Sequence, residues 1–184
     1  CCGKAFENFS DIKEANLEKN KKILKKISKD GTIPIVIDHG ACSARLIKDL
    51  KDEFKIYDLS TYLLKEILPE IDIKALDEDI ALYTMCASKK LGIDNDMRDL
   101  AKKCTNKRVL EHNMACCGFA GYKGFFIPEL NINATKAFAK FYDDKDVKFA
   151  FSNSSTCEIG LSDATDISWQ HIAYLIDMLS EGKK

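Results

Sequence analysis

Two Cys-Cys-Gly motifs, Cys1-Cys-Gly3 and Cys116-Cys-Gly118, each lead to a further cysteine at the same interval, Cys42 in the first case and Cys157 in the second. Equal spacing twice over marks a duplicated unit, and a duplicated unit commits the chain to two related halves. In the second copy another cysteine, Cys86, precedes the pair by about 30 residues. The first copy starts at Cys1, so its counterpart is expected about 30 residues upstream, in a segment preceding this sequence. The expected division is residues 1–75 as the carboxyl-terminal part of a first, truncated unit, and 76–184 as a second, complete one.

Eight cysteines in 184 residues raise the question of disulfides or ligands. Disulfide scaffolds are usually small and loop-rich, whereas this chain has long Lys- and Glu-rich stretches of helical pattern. Cys1-Cys2 and Cys116-Cys117 are sequence neighbours and could close only strained rings with each other, while adjacent thiolates can ligate one metal centre. Ligation is therefore the expectation. The 28 basic and 29 acidic residues are well mixed, so the totals imply no polyanion-binding surface and nucleic acid is not an expected partner. No apolar run approaches the ~20 residues needed to span a bilayer, so no transmembrane segment is expected. A cytoplasmic position follows, at most peripheral on the inner face of the membrane.

The pattern alternates helix and strand with short connections, the signature of an α/β fold with parallel-sheet layers and flanking helices. Residues 11–29 predict a helix, with acids before lysines and Leu17, Ile23, Leu24 and Ile27 as its apolar stripe. Ile33-Pro-Ile-Val-Ile-Asp38 and Val147-Lys-Phe-Ala-Phe151 read as buried strands, each followed by a cysteine, Cys42 or Cys157, where strand becomes helix. Between them the pattern predicts helices at 60–68, 87–91 and 95–104 and strands at 79–84 and 108–112. A last packing helix is expected at 169–180.

Cys86, Cys116, Cys117 and Cys157 would bring four thiolates from three loops to the carboxyl edge of one sheet, a donor set suited to an iron–sulfur cluster or zinc. Gly118, Gly121 and Gly124 would let backbone approach the sulfurs and aim N–H groups at a negative cluster. Cys1, Cys2 and Cys42 form the equivalent set in the first half. Cys104 lies outside the repeat and reads as a core or cap residue, and Trp169 as a filler of an interface. His39, His112 and His171 read as hydrogen-bonded structural residues, His39 being near enough to Cys42 to substitute for a ligand.

The ordered set Cys1-Cys-Gly3, Asp38-His-Gly-Ala-Cys42, Cys86-Ala-Ser-Lys-Lys-Leu-Gly92, Cys116-Cys-Gly-Phe-Ala-Gly121, Pro128-Glu-Leu130 and Ser154-Ser-Thr-Cys-Glu-Ile-Gly160 resembles the cysteine-rich CCG domain family. That family includes the cysteine-rich subunit of heterodisulfide reductase and the iron–sulfur subunits of glycolate oxidase and anaerobic glycerol-3-phosphate dehydrogenase. Within it, the second motif pair is most similar to the carboxyl-terminal region of FAD- and iron–sulfur-dependent D-lactate dehydrogenases. The resemblance implies an electron-transfer domain holding a 4Fe-4S cluster, or zinc. Its partners would be an FAD domain elsewhere in the same full-length chain and a respiratory acceptor, quinone or a carrier protein. The fragment carries no Gly-rich nucleotide loop and is not expected to oxidise substrate alone. His39 and Ser154 stand where the family motif has the first cysteine of a terminal Cys-x-x-Cys, which points away from a five-cysteine cluster and leaves a conventional 4Fe-4S centre, zinc or an empty site. The competing expectations are a zinc-binding or metal-free structural docking module, and a heterodisulfide-reductase-like thiol redox domain.

Overall fold

The computed structural model describes residues 2–180. Six short strands and eight helices alternate along the chain: α1 (Ser10–Ile27), β1 (Ile35–Ile37), α2 (Gly40–Leu50), β2 (Ile56–Asp58), α3 (Leu59–Tyr62), β3 (Ile80–Tyr83), α4 (Cys86–Lys89), α5 (Ile93–Lys103), β4 (Val109–Glu111), α6 (Pro128–Tyr142), β5 (Phe149–Ser152), α7 (Ser155–Thr165), β6 (Trp169–His171) and α8 (Ile172–Ser180). All strand pairings are parallel. β1 pairs with β2 in one sheet, and the second sheet has the order β4-β3-β5-β6. This is the α/β architecture of parallel sheets flanked by helices that the sequence pattern implies.

The larger sheet is apolar on both sides, as a parallel sheet between helix layers must be. Ile80, Leu82 and Phe151 face a core formed by Ile93, Met97 and Leu100 of α5 and Ile172, Leu175, Ile176 and Leu179 of α8. Ala81, Tyr83 and Ala150 point the other way, against Phe138 and Tyr142 of α6, Leu161 of α7 and Trp169. β3 is buried at every position, which explains its continuous apolar reading.

The duplication is visible in the elements. The series α1-β1-α2-β2-α3 recurs as α6-β5-α7-β6-α8, with Cys42 and Cys157 each the third residue of a helix that follows a strand. The halves meet at their strand ends. Gly40 N–H donates to Asn153 O at 3.2 Å, and His171 Nε2 lies 3.0 Å from Asp38 O.

Four features differ from the expectations. Residues 169–171 are not the start of the last helix but strand β6, which pairs in parallel with β5; the helix begins at Ile172. The strand β2 and the 15-residue helix α6 have no counterpart in the sequence-based assignment. Trp169 fills no interface: it is 5% exposed and stacks on Phe138 and Tyr142 inside the second core. The apolar stripe of α1 also stays largely uncovered, since no α1 residue is buried.

Candidate metal centre

The sheet order places β3 between β4 and β5, so the chain leaves β3 to one side and returns to its other side. Crevices at such switch points, outside the carboxyl ends of the strands, are where open α/β sheets hold ligands. Cys86 opens α4 directly after β3, Cys116 and Cys117 lie on the loop after β4, and Cys157 sits in the first turn of α7 after β5. Cys117 and Cys157 are buried, at 3% and 4% exposure, and their Sγ atoms lie 2.9 Å apart. Cys116 is exposed, and its Sγ accepts the Gly118 N–H. Tyr83 has a buried Oη without a partner, and its pKa is raised by burial first and then by Cys157, Cys117, Cys116 and Cys86.

The hydrogen bond between Cys117 and Cys157 pulls the Cys117 thiol down to about 7 and, with desolvation, pushes that of Cys157 up. Desolvation raises Cys116, against the opposing backbone N–H of Gly118, which donates to its Sγ at 3.4 Å. Lys89 brings a positive charge to the same edge. Its Nζ donates to Met114 O at 2.9 Å and lies 5.3 Å from the centre of the Tyr83 ring. Burial pushes the Glu158 carboxyl, next to Cys157, up to about 7.

The loop around Cys117 is held from behind. Asn131 of α6 donates from Nδ2 to Cys117 O at 2.7 Å. Gly118 has φ +75°, and a Cβ there would meet Leu130 O at 2.3 Å, so no side chain fits. The expectation that Gly124 lets backbone approach sulfur is corrected: it presses instead against the Phe119 ring. Asn153, 1% exposed, ties three segments together. Its Oδ1 accepts Met85 N–H at 3.1 Å, its Nδ2 donates to Ser88 Oγ at 2.8 Å, and its carbonyl accepts from Gly40. Tyr83, Lys89, Asn131 and Asn153 carried no signal in the sequence, because an ordinary tyrosine, lysine or asparagine acquires a role here only through tertiary contacts.

In the first half Cys2 and Cys42 repeat the arrangement of Cys117 and Cys157. The interaction between their side chains lowers the Cys2 thiol to about 6 and raises that of Cys42. Cys1 lies outside the described residues. His39 is partly buried with its Nδ1 unpartnered. Cys104 is fully buried, pushed up to about 12 by desolvation, and belongs to the α5 core. His112 stacks on Phe138 and Phe141.

An all-thiol donor set on three loops fits a soft metal or an iron–sulfur cluster in kind. Its positions are those of hydrogen-bonded thiols. Two thiolates on one tetrahedral metal at ~2.3 Å stand ~3.7 Å apart, and among the described residues no three Cys, His, Asp or Glu side chains stand at metal-binding spacing. No helix among these residues is long and apolar enough to cross a membrane.

Among solved structures the chain is similar to the glutamate racemase isoform RacE1 from Bacillus anthracis, at 8% identity and a TM-score of 0.44, over 88% of this chain and 64% of that one. No curated protein matches it. Residues 80–162, the segment from β3 through the first turns of α7, match the family model of the CCG cysteine-rich domain. Cys86, the Cys116-Cys117-Gly118 loop and Cys157 all lie inside this matched segment, which is similar to the CCG cysteine-rich domain, and they come together at one sheet edge.

Proposed function

We propose that this chain is the electron-transfer module of a larger FAD-dependent dehydrogenase acting on D-lactate or another 2-hydroxy acid, passing electrons from the flavin to a respiratory acceptor. The observation that supports it is the placement of Cys86, Cys116-Cys117 and Cys157 at the carboxyl ends of the adjacent strands β3, β4 and β5, with Cys117 and Cys157 in contact, inside a CCG-type segment. Cys86, Cys116, Cys117 and Cys157 would hold the iron–sulfur centre, and Cys2 and Cys42 contribute to the equivalent place in the first half. When bound, a 4Fe-4S cluster supplies a one-electron carrier whose potential follows the charges and hydrogen bonds around its sulfurs.

The chain's own residues prepare that carrier. Gly118 N–H faces Cys116 Sγ, and the Lys89 ammonium offsets negative charge at the sheet edge. Asn131 fixes the carbonyl behind Cys117 and so the angle at which the buried thiol is presented. The FAD domain of the same full-length chain is the donor in this reading, and quinone or a carrier protein is the acceptor.

The test is iron, sulfide and zinc content with the visible spectrum, on protein purified and reconstituted without oxygen. The expected result is about four irons per chain with brown absorption, lost in Cys117→Ser and Cys157→Ser. Colourless protein with one zinc would sink the electron-transfer reading in favour of a structural module. In the full-length flavoprotein, D-lactate should bleach the cluster absorption; a cluster untouched by D-lactate and by other 2-hydroxy acids would refute the dehydrogenase context.

A further inference from the structure

We propose that in the absence of metal the chain carries two reversible disulfide latches at equivalent positions of its halves, Cys2–Cys42 and Cys117–Cys157, closed by small-molecule disulfides. Each latch joins the second cysteine of a Cys-Cys-Gly motif to the cysteine in the first turn of the following strand-end helix. Cys117 and Cys157 Sγ are 2.9 Å apart, less than 1 Å from the ~2.05 Å of a disulfide bond. Cys2 and Cys42 hold the equivalent places in the other half, Cys2 as the second cysteine of its Cys-Cys-Gly motif and Cys42 as the third residue of α2, and their latch follows from that equivalence. The sequence neighbours Cys116 and Cys117 do not pair in this way. Cys116 is exposed and turned towards Cys86 as well as Cys117, and a bond between neighbours would strain the loop.

The chemistry is two thiol–disulfide exchanges per latch. A thiolate attacks the small disulfide, giving a mixed disulfide and one released small thiol; the second protein thiol then displaces the other small thiol. Two protein thiols are oxidised to one bond, the small disulfide is reduced to two thiols, and the two protons leave with them. Cys2 and Cys42 are half-exposed and open to direct attack. Cys117 and Cys157 are buried, so their latch adds one exchange: exposed Cys116 attacks the small disulfide and releases one small thiol, Cys117 takes over the mixed disulfide and restores the Cys116 thiol, and Cys157 then displaces the second small thiol. Sulfurs bound to each other cannot serve as thiolate ligands, so closed latches would block metal loading. That consequence rests on the metal-binding reading above; the latches themselves do not.

The test uses metal-free, fully reduced protein carrying Cys1→Ser, so that Cys1 cannot compete. The protein is exposed to oxidised glutathione, quenched over time and alkylated, and its peptides are mapped by mass spectrometry. The expected products are the Cys2–Cys42 and Cys117–Cys157 bridges, the first forming at least about tenfold faster because its sulfurs are accessible, with Cys86, Cys104 and Cys116 alkylated. Cys157→Ser should lose only the second bridge and Cys42→Ser only the first. A Cys116–Cys117 bond, glutathione retained on Cys116, or free thiols throughout would overturn the proposal. Iron uptake is then measured before and after reduction. Bridges that form in a protein taking up no iron once reduced would leave the latches standing and defeat the metal reading, while equal uptake by oxidised and reduced protein would overturn the block on loading.

Discussion

Asn153 satisfies the Met85 N–H, the Ser88 hydroxyl and the Gly40 N–H from one buried position between β5 and α7. Asn153→Ala would strand a buried backbone donor and a buried hydroxyl, at about 1–3 kcal/mol for the donor alone; urea unfolding should show a loss of about that size or more. Asn153→Asp, which keeps the acceptor for Met85, should recover part of it. His171 gives the chain a pH dependence of definite sign. Its Nδ1 accepts Ala173 N–H at 3.3 Å, so its Nε2–H donates to Asp38 O, and the ring is neutral in the fold. Burial lowers its pKa below the ordinary imidazole value near 6.5, against the raising influence of Asp38 and Asp58 and with that of His39. The unfolded chain therefore binds the proton first. Stability is expected to fall as pH drops below about 6.5 towards the lowered folded value, and His171→Gln should flatten that slope in unfolding curves measured between about pH 5 and 8. The cysteine spacing was legible because a ligand set needs particular residues at particular intervals. Asn153 and His171 were not, since their partners lie on segments distant in sequence.

At the scale of elements, α1 and α6 occupy equivalent places in the two halves and are packed very differently. α6 buries Asn131, Thr135, Phe138 and Tyr142, and Phe138 sits at 0% exposure among Tyr83, His112, Tyr142 and Trp169. α1 buries none of its residues and leaves Ile12, Ile23 and Ile27 exposed. Phe138→Ala should cost about 3–5 kcal/mol in chemical denaturation. Lys19→Pro, which breaks α1 in its middle, should remove helical signal from circular dichroism while lowering global stability by less than about 1 kcal/mol, because little tertiary packing depends on that helix. The charge order of α1 made it readable from sequence in spite of its weak packing. α6 carries the same kind of marks, Pro128 at its start, Glu129 in the first turn and Lys140 in the last, but follows a glycine-rich loop that drew the reading towards the cysteines. β2 and β6 are three residues each, too short for a periodic pattern, and exist because β1 and β5 offer them open edges.

In the whole molecule the strand ends of the two halves meet, and Gly40 is a tight contact between them. A Cβ there would lie 2.4 Å from both Met85 Sδ and Ser88 Oγ, so Gly40→Ala should push α2 away from α4. The expected result is a loss of about 1–3 kcal/mol, the usual cost of overpacking, with greater accessibility of Cys42 and Cys86 to alkylation; unchanged labelling would show that the halves do not rely on this contact. The sequence alone determined the duplication, the α/β alternation and the identity of the strand-end cysteines. Those properties are written in intervals and in apolar runs, which local sequence carries in full. Tertiary structure alone decided that Cys117 meets Cys157 and Cys2 meets Cys42 while Cys116 faces outward. It also decided that Tyr83 and Lys89 stand at the thiols and that the two halves share one seam. A side chain's neighbours and its burial depend on how strands from distant parts of the chain are ordered in a sheet, and no local pattern encodes that order.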